Sequence, residues 1–321
     1  MLVEKSFLLI FVLKLFVSIA AAQSEAVKTP DTEYLAKGVE QYRSAQYETA
    51  VKSFQQAVVA NPKSADGYGN LCVIYGEMKQ YEQAIDACRQ LVGLCPDSAI
   101  AYYKLGRVYD DSGKDTEAVE AFQTAIRLQP DLVDAYYNLG TTYTDISDYV
   151  NATAAFEKAI RLKPDFAAAQ NNLASIYYKL GQFEKAARLL TDAARFKPQE
   201  PTVHSNLGMT YFNLKKYKNA AQCFEQFLRL KPNEPDALFM LGVIYYKMNE
   251  KEKAAATFES VLKIKLGLAF ARYNLGVIYS SLRKKPEAIN QYRQLRDIDT
   301  TLADKLFKEI FRDKILDVSG R

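Results

Sequence analysis

The chain has 321 residues, with 42 Lys+Arg against 38 Asp+Glu and a formal net charge of +4. No strongly basic stripe runs through it, which argues against nucleic acid as a partner, and 49% hydrophobic residues are enough for a continuous core. Length alone points to two domains, but the sequence repeats itself at a fixed period and reads as one array.

Residues 1–22 stand apart from that period. An apolar run opens at Phe7-Leu8-Leu9-Ile10-Phe11-Val12-Leu13 and reaches Val17, and Ala20-Ala21-Ala22 supplies a small-residue cleavage pattern before Gln23. This is the pattern of a secretory signal peptide. Glu4 weakens the positive start and Lys14 interrupts the run, so an uncleaved anchor over residues 6–22 is the rival reading; the run is short for a spanning helix. The expectation is an exported protein, periplasmic or secreted, touching a membrane only if the segment is retained. No cysteine follows the cleavage pattern, which argues against a lipoprotein of the bacterial type. Residues 23–30 read as a flexible lead-in.

From there a beat of 34 residues sets in. Alanines fall at Ala50, Ala84, Ala118, Ala152, Ala186, Ala220, Ala254 and Ala288, prolines at Pro62, Pro96, Pro130, Pro164, Pro198 and Pro232, and tyrosines from Tyr75 to Tyr279. Such a period means a stack of identical supersecondary units. Within one unit, Val133, Tyr136, Leu139, Gly140 and Tyr143 have helical spacing. After a break at Ser147-Asp148, Tyr149, Ala152, Phe156, Ala159, Ile160 and Leu162 give a second helix, which Pro164 ends. Asp97, Asp131 and Asp165 follow their prolines, where an acidic residue suits the next helix N-terminus. Gly38, Gly106, Gly140, Gly208, Gly242 and Gly276 imply close backbone approach between paired helices, with Phe54, Phe122, Phe156, Phe224, Phe258 and Tyr292 filling the space beside it.

The run Tyr136-Tyr137-Asn138-Leu139-Gly140-Thr141-Thr142-Tyr143, followed by the alanine, the aromatic, a second small residue and the proline, resembles the tetratricopeptide repeat. The resemblance covers residues 31–302 as eight repeats and implies an all-α fold, a right-handed α-solenoid of helix-turn-helix units. Terminal faces of a solenoid need covering. Leu302, Ala303, Leu306, Phe307, Ile310 and Phe311 form an apolar stripe for a capping helix within 303–321, opposite Asp304, Lys305, Lys308, Glu309 and Arg312. Lys37 and Gln41 make the first repeat atypical, and Leu266 and Thr300 replace the proline at the last two junctions.

Four cysteines would face an oxidising compartment. Cys72 takes the glycine place and Cys88 the aromatic place of the second repeat, so a bridge is geometrically allowed, yet two small buried thiols are the favoured expectation. Cys95 and Cys223 have no evident partner. Enzyme chemistry finds little footing: the single histidine, His204, sits at a core position, and no phosphate loop, nucleophile elbow or metal-ligand spacing occurs. No cofactor is expected. The sequon Asn151-Ala152-Thr153 falls within a helix beside a buried alanine, which makes a glycan there improbable.

The resemblance implies that first helices of successive repeats line a concave groove. By register the lining includes Asn70, Asn138, Asn172, Asn206 and Asn274, interrupted by Ala36, Lys104 and Met240. An amide donates and accepts at once, so such a ladder can bracket peptide units of an extended ligand, similar to the asparagine ladder of O-linked N-acetylglucosamine transferase repeats; the same column is also common consensus in the family. Asp66, Glu77, Asp110, Asp111, Asp134 and Asp145 populate the N-terminal half of the lining with Lys104 and Arg107. Tyr178, Lys179, Phe212, Tyr246, Lys247, Phe239 and Tyr273 populate the C-terminal half, as ligand contacts or as packing between first helices. The expectation is a non-enzymatic scaffold binding an extended segment of a partner protein. A carbohydrate-associated export scaffold and self-association are the alternatives.

Overall fold

The computed structural model describes residues 29–311. The expected signal segment, most of the lead-in, and the tail from Arg312 onward lie outside the described residues. Among the described residues there are 17 helices and no strand. The chain divides into two compact units, the first ending at Ala121 and the second beginning at Phe122.

The first unit holds α1 (Thr32–Arg43), α2 (Tyr47–Ala60), α3 (Ala65–Glu77), α4 (Tyr81–Leu94), α5 (Ala99–Asp111) and the start of α6 (Asp115–Leu128). The second continues with α7 (Val133–Asp145), α8 (Tyr149–Leu162), α9 (Ala167–Lys179), α10 (Phe183–Phe196), α11 (Pro201–Asn213) and α12 (Tyr217–Leu230). It ends with α13 (Pro235–Lys247), α14 (Lys251–Ile264), α15 (Ala269–Ser281), α16 (Lys285–Arg296) and α17 (Thr300–Ile310). Odd-numbered helices up to α15 open a repeat and even-numbered ones close it. This is the all-α tandem-pair architecture of an α-solenoid.

Each first helix closes on a residue in the left-handed region. At Ser147 φ is 63°, its N–H donates to the Thr144 carbonyl at 3.0 Å, and the Asp148 N–H donates to the Tyr143 carbonyl at 2.8 Å. This double closure satisfies carbonyls that the helix end would orphan. Ala45, Lys79, Lys215, Asn249 and Arg283 hold the same place with positive φ, and only Gly113 and Gly181 use the residue that adopts it without strain. The acidic residues after the prolines fall one position short of the expected cap. Ser98 is the N-cap of α5, its side chain accepting from the Ala101 N–H, and Leu132 and Phe166 precede α7 and α9.

The eight alanines of the 34-residue column are all 0% exposed. Beside them the expected glycine–aromatic contact takes a particular form: the aromatic ring lies on the glycine itself. A Cβ added at Gly140 would sit 2.8 Å from the ring of Phe156, which explains why a helix-unfavourable residue is kept there. Repeat five solves the same space with Ala174 and Leu190, both buried. The second repeat corrects the sequence expectation of two free thiols: Cys72 and Cys88 are disulfide-bonded, with Cα atoms 5.0 Å apart. A covalent link stands where other repeats use a ring against a glycine. The last repeat departs too, because Gly276 faces Leu306 of α17 and not Tyr292. Leu302, Ala303 and Leu306 are buried, while Phe307 of the expected apolar stripe stays 42% exposed.

The tyrosine column stitches repeats together. Hydroxyl contacts join Gln55 to Tyr75, Arg89 to Tyr109, Gln123 to Tyr143, Glu157 to Tyr177, Thr191 to Tyr211, Glu225 to Tyr245 and Glu259 to Tyr279. In each case the second helix of one repeat is tied to the first helix of the next. A further tie holds the junctions: Gln170 donates to the Pro164 carbonyl at 2.9 Å, His204 Nε2 to that of Pro198 at 2.8 Å and Arg272 to that of Leu266 at 2.9 Å. His204 is thus buried and committed to a backbone carbonyl, and Arg272 serves the junction that lacks the proline.

Candidate functional site

The ten residues singled out by register all lie on first helices, Asn70 in the first unit and the other nine in the second. Their asparagines are half-buried, and part of the amide column is spent between neighbouring repeats. Asn172 Nδ2 donates to the Tyr137 hydroxyl at 3.3 Å, and Asn206 Nδ2 to Asn171 Oδ1 at 2.9 Å. Asn138 Nδ2 donates to the Asp134 carbonyl of its own helix at 2.9 Å. Asn70 and Asn274 each border a depression, one in each unit.

The two depressions occupy the same register. The first is lined by Val39, Tyr42, Phe54, Asn70 and Val73, and the second by Val243, Tyr246, Lys247, Phe258, Asn274, Val277 and Ile278. Tyr42 and Tyr246, Phe54 and Phe258, and Asn70 and Asn274 are equivalent residues six repeats apart. The volumes differ: about 10 Å³ at the first and about 200 Å³ at the second. Three of the ten expected residues, Tyr246, Lys247 and Asn274, therefore converge on one cavity.

The cause of the difference lies five and thirty-five residues further along the chain. The Tyr42 ring packs on Tyr47, centroids 5.6 Å apart, and its hydroxyl donates to Glu77 Oε1 at 2.5 Å. Burial first, and then this bond, raises the Tyr42 pKa above the usual phenol range. Burial also raises Glu77, with the Tyr42 bond and Arg107 working against it. Tyr178 is held the same way: its ring meets Phe183 edge-on at 5.3 Å and its hydroxyl accepts from Asn213 Nδ2 at 2.8 Å. Phe212 packs on Tyr217 at 5.7 Å. At Tyr246 the corresponding positions are Lys251 and Ser281. Lysine offers no ring, and the Ser281 hydroxyl donates to the Ile278 carbonyl of its own helix at 2.7 Å. Tyr246 consequently remains 40% exposed.

Lys247 and Lys179 are both exposed, but Lys179 lies over the Tyr149 ring at 5.4 Å. Tyr178, Lys179 and Phe212 are therefore engaged in packing between helices, and the structure does not bring them into the cavity. Val243, Val277 and Ile278 line the site without having been expected from the polar and aromatic columns, and Phe258, expected only as core filling, borders it as well. Lys104, in the asparagine column, is half-buried with Nζ 3.5 Å from the Gly69 carbonyl, and desolvation lowers its pKa while Asp66 opposes the shift. Among the described residues no group of three or more His, Cys, Asp or Glu side chains is placed to hold a metal ion. No helix among them is long and apolar enough to cross a membrane.

The family model described as "Cilia and flagella-associated protein 70 C-terminal domain" matches residues 92–304, and one described as "Tetratricopeptide repeat" matches residues 35–99. The chain belongs to the tetratricopeptide-repeat proteins, and over residues 92–304 to the first of these families. No curated protein matches it. Among solved structures it is similar to YrrB, described as "a TPR protein with an unusual peptide-binding site", with 24% identity and a TM-score of 0.55, covering 59% of this chain and 99% of that one. It is also similar to pilF of Pseudomonas aeruginosa, with 23% identity and a TM-score of 0.51, covering 66% of this chain and 97% of that one. Both likenesses are likenesses of fold.

Proposed function

We propose that this tetratricopeptide-repeat protein is a non-enzymatic scaffold that binds an extended segment of a partner protein along its first helices. One observation carries the reading: Tyr246, Lys247 and Asn274 converge on a cavity of about 200 Å³, where the equivalent depression beside Tyr42 has about 10 Å³. A bound ring or branched side chain there would gain about 2 kcal/mol from burial, and each amide bond about 1 kcal/mol. After ordering costs that is a millimolar contact by itself, so neighbouring repeats must add to it. Peptide binding is a use described for YrrB, which shares the fold. The scaffold is taken to be exported. Support comes from the apolar run and small-residue pattern of residues 1–22 and from the Cys72–Cys88 disulfide, which suits an oxidising compartment.

The test is a selection of displayed random peptides on the full chain, followed by photo-crosslinking. Enriched peptides that crosslink to α13 and α15, and lose affinity with Tyr246→Ala, are the expected result. Crosslinks confined to the second helices, or no enrichment, would contradict the reading. Export is checked separately by the N-terminal sequence of the purified protein, which should begin at Gln23.

A further inference from the structure

The cavity beside Tyr246 discriminates among ligands by shape and by charge. The side chains of Val243, Phe258, Val277 and Ile278 give it an apolar floor, with room for one side chain and not for a folded element. Tyr246, Lys247 and Asn274 supply its polar and aromatic edge. Lys247 is exposed and has no acidic partner among the described residues. The stretch of sequence that follows it carries more bases than acids. From Lys247 to Lys285 there are nine Lys and Arg against three Asp and Glu, an excess of six charges in a chain whose total is +4. Two of the three acids are already engaged: Glu250 pairs with Lys253 at 2.6 Å, and Glu259 accepts from the Tyr279 hydroxyl. The stretch from Asp66 to Asp111 in the first unit has the opposite balance, seven acids against four bases. An apolar pocket and an exposed lysine without an acidic partner among the described residues thus meet beside Tyr246.

We propose that this site recognises an acidic extended segment of another protein, in which one bulky apolar side chain enters the cavity and a neighbouring carboxylate meets Lys247. The Asn274 amide, able to donate and accept at once, suits the peptide unit between them. The proposal rests on the binding mode inferred above and adds to it the chemical class of the partner. Charge of this kind steers association and selects partners more than it adds affinity, so salt should weaken the complex while the apolar anchor sets its lifetime.

Three labelled nonapeptides test it by fluorescence anisotropy on the full chain: an acidic one with a central phenylalanine, the same with alanine at the centre, and a lysine-flanked phenylalanine version. The acidic phenylalanine peptide should bind about tenfold more tightly than either of the others. Tyr246→Ala should remove that preference. Lys247→Glu should weaken the acidic peptide and strengthen the lysine-flanked one, a reversal that simple misfolding does not produce; circular dichroism checks helicity. Equal affinity for the acidic and basic peptides, or binding indifferent to Tyr246→Ala and Lys247→Glu, would overturn the proposal. Selected peptides that crosslink to the first helices but lack acids would overturn it while leaving the scaffold reading intact. Concentration-dependent self-association abolished by Tyr246→Ala would assign the cavity to a second copy and also overturn it.

Discussion

Tyr42 and Tyr246 occupy the same place in the repeat and do opposite things. At Tyr42 a ring five residues on and a carboxylate thirty-five residues on hold the side chain down, and the adjoining depression shrinks to about 10 Å³. At Tyr246 both restraints are missing and about 200 Å³ opens beside it. The lesson is that a repeat protein makes a site by omission. The consensus supplies walls everywhere, and a pocket appears where neighbours that would fill it have changed.

The two regions differ in their core as well, and the largest expected effect comes from that difference. The first unit carries the Cys72–Cys88 link where the second has Gly140 against Phe156 and Gly208 against Phe224. The linked residues are 16 apart in sequence, a loop length for which removal costs about 3 kcal/mol. Cys72→Ala with Cys88→Ala should lower stability by that amount in urea titration, and reductant should lower the wild type but not the variant. A wild type whose stability reductant leaves unchanged would mean the bond is not formed in solution.

A smaller effect is expected from unlocking the first site. Glu77→Ser with Tyr47→Lys copies the Tyr246 surroundings onto Tyr42. It should cost about 1–2 kcal/mol for the lost hydrogen bond and ring contact. It should also make Tyr42 react with tetranitromethane, where in the wild type Tyr246 reacts first; nitration sites are read by mass spectrometry. Unchanged protection of Tyr42 would show that something other than these two neighbours closes the site.

The smallest effect concerns thiols. Cys223 is buried and burial pushes its pKa up to about 12, whereas Cys95 is only half-buried. The thiolate is the reactive form, and burial disfavours it at Cys223. At pH 8 one thiol per native chain, Cys95, should react with Ellman's reagent, and a second only on unfolding.

The repeat architecture was legible because identical columns meet identical neighbours. The alanines of the 34-residue column had to be small, and each is fully buried. The aromatic column was legible as space-filling, although the ring rests on glycine and Gly276 waits for Leu306. The site was legible only in part. Asn172 and Asn206 look like ligand-binding amides by spacing but spend a donor on the preceding repeat, since residues thirty-five apart on consecutive first helices face one another. Tyr178 and Phe212 look like Tyr246 in register, and Phe183 and Tyr217 cover them. The signal that separates Tyr246 was present in Lys251 and Ser281, and it emerges only when each repeat is compared with its neighbours and not with the consensus.

The most direct measurement closes the open site without touching its lining. Lys251→Phe with Ser281→Asn gives Tyr246 the neighbours that hold Tyr178, namely the equivalents of Phe183 and Asn213. Binding of the acidic phenylalanine peptide would be measured for this double variant beside Lys251→Ala alone, which controls for the lost charge. Affinity falling to that of Tyr246→Ala, with the single control close to wild type, is the expected result. Binding that persists while Tyr246 becomes protected from nitration would contradict the claim that the opening beside Tyr246 is where the partner is held.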